Sequence, residues 1–126
     1  MMTFLKYHLP AILYAALIII VSSMSNLTPP SVGIVGVDKL AHFFEYAILA
    51  VLVFRSFSHL SSRMRPGLVF LLSLLFVAIF ALFDECFQAY IPGRHSDVYD
   101  IVFDLLGSWL ILGYLWYRTR QKASTR

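Results

Sequence analysis

LVFLLSLLFVAIFALFDECFQAYIPGRHSDVYDIVFDLLGSWLILGYLWY, from Leu68 to Tyr117, is two long apolar runs separated by a polar hinge. Between Phe83 and Asp104 this greasy stretch takes on five carboxylates, an Arg and a His. Ile91-Pro92-Gly93 marks a tight reversal, because proline and glycine end helices and favour turns. Two apolar runs joined by so short a link read as antiparallel neighbouring helices. Apolar stretches of about 20 residues are what a helix needs to cross a hydrocarbon layer ~30 Å thick.

Two further runs of the same kind precede them. The expected spans are Phe4–Met24, Leu40–Phe57, Leu68–Ile91 and Val98–Tyr117. The breaks are SNLTPPSVGIVG (Ser25–Gly36), HLSSRMRPG (His59–Gly67) and the Pro-Gly hinge. Residues are 60% hydrophobic and 13% charged across the 126-residue chain. Soluble domains carry roughly twice that charge, and a small soluble domain leaves too much surface exposed to hide so many apolar side chains. The expected fold is an all-α membrane protein, a four-transmembrane-helix bundle forming one domain over residues 1–126. One cysteine, Cys86, excludes an internal disulfide. Its neighbours make it apolar filler.

The charges orient the bundle. Eight of the ten Lys and Arg residues flank one set of span ends: Lys6, Arg55, Arg63, Arg65, Arg118, Arg120, Lys122 and Arg126. Basic residues favour the cytoplasmic side, which places both termini in the cytoplasm. A cleaved signal peptide at Phe4–Met24 would put the termini on opposite sides and weaken this asymmetry, so a retained span is expected. All seven acidic residues then fall in the outer half, with only Lys39 and Arg94 as fixed cations beside them.

Helical spacing gathers these groups. Asp38, His42 and Glu45 share one face, and so do Asp97, Asp100 and Asp104. Gln88 lies one turn from Asp84 and Glu85. Glu45, Asp84 and Asp104 each lie seven residues inside a helix end, about 10 Å deep. A carboxylate facing lipid near the bilayer centre costs about 2.5–3.5 kcal/mol, so three such faces are expected to turn toward one another around a wet pocket.

The donor set suggests chemistry. Hard divalent cations take oxygen ligands, and histidine adds affinity for transition metals. Asp84, Glu85, Asp97, Asp100 and Asp104, with His42, are the expected metal set. Asp38, Lys39, His42, Glu45, Gln88, Arg94 and Ser96 are the expected ligand-binding set. Arg94 precedes a helix start and suits a phosphate or carboxylate, unless it pairs with Asp97 or Asp84. Ser96 suits a helix N-cap better than a nucleophile. His95 is expected as a loop residue, and His8 and His59 as interfacial ones. No nucleophile elbow and no phosphate-cradling glycine loop occurs. Transport is disfavoured because the inner half of every span is apolar apart from Ser73, Ser108 and terminal residues.

The ordered pieces resemble the VanZ-like family, named for a teicoplanin-resistance membrane protein. They are Ser22-Ser23, then Asp38-Lys39-x-x-His42 followed by Tyr46, then Asp84-Glu85-x-x-Gln88 with Pro92-Gly93-Arg94. Ser96-Asp97-x-x-Asp100 and Gly107 complete the series. One position departs, for the family often has Asn where this chain has Asp104. The resemblance implies a multi-pass protein of the bacterial cytoplasmic membrane with work in the cell envelope, and it supplies no reaction. The expected partners are the lipid bilayer and a lipid-linked, phosphate-bearing envelope precursor, with a divalent cation as the candidate cofactor. No nucleic acid partner is expected, and nothing in the sequence restricts the chain to a monomer. A non-enzymatic membrane scaffold is the alternative reading, and a small proton-coupled transporter ranks below it.

Overall fold

The computed structural model describes residues 2–25, 36–60, 64–94 and 96–124. Most of the first two expected loops, with Arg63, and also His95 and Arg126, lie outside the described residues. Five helices follow in order: α1 Met2–Tyr7, α2 Leu9–Ser22, α3 Val37–Ser58, α4 Pro66–Gln88 and α5 Val98–Ser124. Among the described residues, α3, α4 and most of α5 (Val98–Lys122) are long and apolar enough to cross a membrane.

The expected first span, Phe4–Met24, is divided. Its longer piece, α2, has 14 residues and reaches only about 21 Å, short of a ~30 Å hydrocarbon layer. The cause is local. Pro10 has no N–H, so it takes one bond out of the helical ladder. The helical course still passes through His8, whose N–H reaches the Phe4 carbonyl at 2.9 Å and whose carbonyl accepts from Ile12 at 3.2 Å. The pieces are therefore consecutive turns around a proline bend.

The other boundaries shift by a few residues. α3 and α4 start earlier than expected, α4 with Pro66 in its first turn, where a missing N–H costs nothing. α4 stops at Gln88 and closes in tight turns, with Tyr90 bonded to Phe87 and Ile91 to Gln88. Gly93 then takes a positive φ of 82° in the hinge, and a side chain there would press on the Ser25 carbonyl. α5 runs past the expected Tyr117 because no breaker follows. Arg118 sits over Tyr114 and Arg120 over Trp116, each one helical turn apart.

α3 is the centre of the bundle. Its broadest contact is with α5; α4 packs on both, and α2 lies against α3 and α4. α3 and α5 meet closely at Gly107 of α5, where even a methyl group would overlap the Phe43 carbonyl of α3. Small residues at such crossings let backbones meet, and packing replaces the hydrophobic drive that lipid cannot supply. Tyr46, Leu49, Ala50, Val77, Ala81 and Leu112 fill the interior. Leu13, Leu71, Ile79 and Trp109 point outward, as lipid-facing side chains do.

Candidate functional site

The polar groups meet at the end of the bundle formed by the start of α3, the end of α4 and the start of α5. The link from α4 to α5 begins the site. Asp97 stands just before α5, and its Oδ1 accepts the Tyr99 N–H at 2.9 Å, so Asp97, and not the expected Ser96, caps the helix. The Asp97 N–H donates to Glu85 Oε1 at 2.5 Å, which fastens the cap to α4. The Ser96 hydroxyl faces the same Glu85 carboxylate.

α3 supplies the cation. The Lys39 ammonium bridges Asp97 Oδ2, at 2.5 Å, and Asp100 Oδ1. This hydrogen bond holds the Asp97 carboxyl below its ordinary pKa, assisted by the Tyr99 N–H. One turn further in, His42 is buried between two aspartates. Its Nδ1 lies 3.1 Å from Asp104 Oδ1, and its Nε2 lies 3.8 Å from Asp100 Oδ2. A carboxylate only accepts, so Nδ1 is the donor, and in the neutral ring Nε2 carries the lone pair. Metal-binding histidines are oriented in this way, with a carboxylate on the ring nitrogen remote from the metal. Ligand atoms of Asp38, His42 and Asp100 come within 4.8 Å of one another, a spacing that suits one metal ion. Asp38 is exposed while His42 and Asp100 are buried, which leaves the cluster open on one side.

A second set of bonds lies beside the first. The Tyr46 hydroxyl donates to Asp84 Oδ2 at 3.2 Å. The Gln88 amide donates to the same oxygen at 3.1 Å and to Ser22 of α2 at 3.2 Å. Glu45 is half-buried, within electrostatic reach of His42, Asp84 and Asp104. Ser108 donates to the carbonyls of Tyr46 and Asp104, joining α5 to α3. Arg94 makes neither of the expected ion pairs. Its Nη2 donates to the Val21 carbonyl at 2.9 Å and its Nε to the Met24 carbonyl at 3.2 Å, tying the α4–α5 link to the C-terminal end of α2.

Two buried carboxylates keep an oxygen free. Asp84 and Glu85 are 2% and 3% exposed, yet Asp84 Oδ1 and Glu85 Oε2 have no hydrogen-bond partner. Unpaired buried acceptors are costly and call for a proton, an ion or a ligand. Ser73 Oγ, in the apolar middle of α4, is the remaining such atom among the described residues.

Asp100 lies in the metal-spaced group with Asp38 and His42. Asp104 stands behind His42, and Asp97 holds Lys39 and the helix start. Asp84 and Glu85 converge on the site with their own partners. Tyr46 and Ser22 enter as participants that the site reading left out. Tyr46 was legible as the next turn on the Asp38–His42 face, whereas Ser22 carried no signal beyond its place in the family pattern.

Apolar helices of membrane length, with a carboxylate–histidine cluster at one end, are those of a multi-pass membrane protein. A family model described as VanZ/LLP1 matches residues 1–121, and the chain belongs to that family. No curated protein and no solved structure matches the chain.

Proposed function

We propose that this VanZ/LLP1 protein holds a divalent cation on Asp38, His42 and Asp100 and uses it to bind the phosphate of a cell-envelope lipid or lipid-linked precursor. The observation that carries the reading is the His42 ring, held through Nδ1 by Asp104 with Nε2 directed to Asp100. Three protein ligands leave coordination positions for water and for a phosphate oxygen, as open metal sites require. Asp84 Oδ1 and Glu85 Oε2, at the same end of the bundle, each keep an acceptor free.

The same reading places four spans in the bacterial cytoplasmic membrane, with α1 and α2 together making the first crossing. Both termini lie in the cytoplasm, because eight of the ten basic residues belong to that end. The acidic site then opens outward, where envelope precursors are used. The name of the family links this position to glycopeptide resistance, which fits action on such a precursor. Binding is the activity this reading supports.

The test is Mn2+ binding to purified protein in lipid nanodiscs, measured for wild type, His42→Ala and Asp100→Asn. Binding in the wild type that falls at least tenfold in both variants is the expected result. Equal trace binding in all three proteins defeats the metal reading. That result would favour a scaffold, for which the Arg94 and Gln88–Ser22 bonds speak, since both tie α2 to its neighbours.

A further inference from the structure

Asp100 serves two masters. Its Oδ1 receives the Lys39 ammonium, and its Oδ2 faces His42 Nε2 within the metal-spaced group. A divalent cation on Asp38, His42 and Asp100 would therefore share one carboxylate with an ammonium ion. Like charges on the two oxygens of one carboxylate repel, strongly so in a buried site. The carboxylate is itself only 6% exposed, so water does little to screen the pair.

Lys39 has another place to go. Its second partner, Asp97, is 40% exposed at the rim of the bundle and stands ahead of α5. A flexible lysine can swing from the buried carboxylate to the rim while keeping one ion pair. There it would stand beside the open positions of the metal, where a phosphate oxygen would arrive. The other fixed cation of this end, Arg94, donates to the carbonyls of Val21 and Met24 at the end of α2. Lys39, on Asp100 Oδ1, is the fixed cation in contact with the metal-spaced group. Glu85 lies beside this rim. It touches the same Asp97 segment, it is nine-tenths buried, and its Oε2 has no partner.

We infer that Lys39 is a built-in competitor of the metal for Asp100 and becomes the phosphate-gripping group once the metal is bound, so that cation and phosphate bind cooperatively. This rests on the metal reading proposed above and adds a sign to it. Removing a positive side chain from the site should tighten metal binding while weakening phosphate binding. A lysine that merely braces the helices would do neither.

The experiment titrates Mn2+ into wild type, Lys39→Gln, Lys39→Met and Lys39→Arg in phosphatidylcholine nanodiscs, with and without inorganic phosphate, reading free Mn2+ by electron paramagnetic resonance. A parallel arm replaces inorganic phosphate with phosphatidate in the disc, which separates a lipid headgroup from free phosphate as the anion. In wild type, phosphate or phosphatidate should raise Mn2+ affinity by about tenfold, a usual size for coupling between sites. Lys39→Gln and Lys39→Met should bind Mn2+ alone about tenfold more tightly than wild type and lose the anion effect. Lys39→Arg should stay near wild type. If wild type binds Mn2+ and both neutral variants bind it equally or more weakly, the inference on Lys39 is overturned while the metal site stands. If wild type and both neutral variants all fail to bind Mn2+, the metal reading and the inference fall together.

Discussion

The two ends of the bundle use charge in opposite ways. At the basic end, Lys6 and Arg55 lie over the face of Tyr7, which stacks on His59 at 3.5 Å. His8 and Ser56 are paired at 2.7 Å, and Arg118 and Arg120 cover their own aromatic neighbours. Cations over aromatic rings at a membrane edge anchor a helix end and can remain in contact with water and lipid headgroups. At the acidic end, Asp84, Glu85, Asp100 and Asp104 are buried, and two of these side chains keep an oxygen without a partner. One end settles its charges at the surface; the other pays to bring them inside and leaves some unanswered. Ionisable groups buried among apolar helices usually mark function, and the proposed site rests on this difference.

Mutations can break this contrast. The largest effect is expected from Asp104→Leu, which strips His42 of its orienting carboxylate. Loss of such a partner costs about 10–100-fold in metal affinity, measured by Mn2+ titration in nanodiscs. Asp104→Asn should lose much less, since an amide oxygen accepts the same Nδ1 hydrogen bond. Lys6→Gln and Arg55→Gln, at the other end, should leave Mn2+ affinity unchanged. An equal loss from either end would erase the distinction.

A middle-sized effect concerns the crossing that brings α5 onto α3. Gly107→Ala places a methyl group into the Phe43 backbone carbonyl. Overpacking of this kind costs about 1–3 kcal/mol, visible as a lower midpoint in thermal unfolding in detergent. Gly113→Ala, on the same helix with nothing within 4 Å, should be neutral. If both substitutions behave alike, the tight crossing does not hold the site together.

The smallest expected effect compares single hydrogen bonds. Tyr46→Phe removes the donor to Asp84 and should cost about 0.6 kcal/mol, the average for interhelical bonds in membranes. Ser56→Ala removes the His8 partner at the basic end and should cost a similar amount, with Mn2+ affinity untouched. Tyr46→Phe leaving stability intact but shifting Mn2+ affinity would move Tyr46 into the binding machinery.

Much of this was legible in one dimension. Apolar run length located the crossing helices, because hydrocarbon thickness sets a minimum span. Residue spacing also put Asp97, Asp100 and Asp104 on one helical face, and Lys39 and His42 of α3 reach that face. The bend at Pro10 was visible in the residue but not in its consequence, since a proline near a helix start can either begin a helix or interrupt one.

Membrane-length helices, acid gathered at one end and membership of a family whose pattern spans nearly the whole chain all follow from the order of residues. Which carboxylate faces which partner follows from the packed helices alone. Packing gives Arg94 to the carbonyls of Val21 and Met24, Asp104 to His42 and Asp100 to both Lys39 and His42. The reason is geometric. Periodicity fixes the face of a helix on which a side chain lies, whereas hydrogen-bond partners depend on how neighbouring helices are rotated and how closely they approach. Here that approach is set at Gly107, far along the chain from the α3 residues it brings into reach.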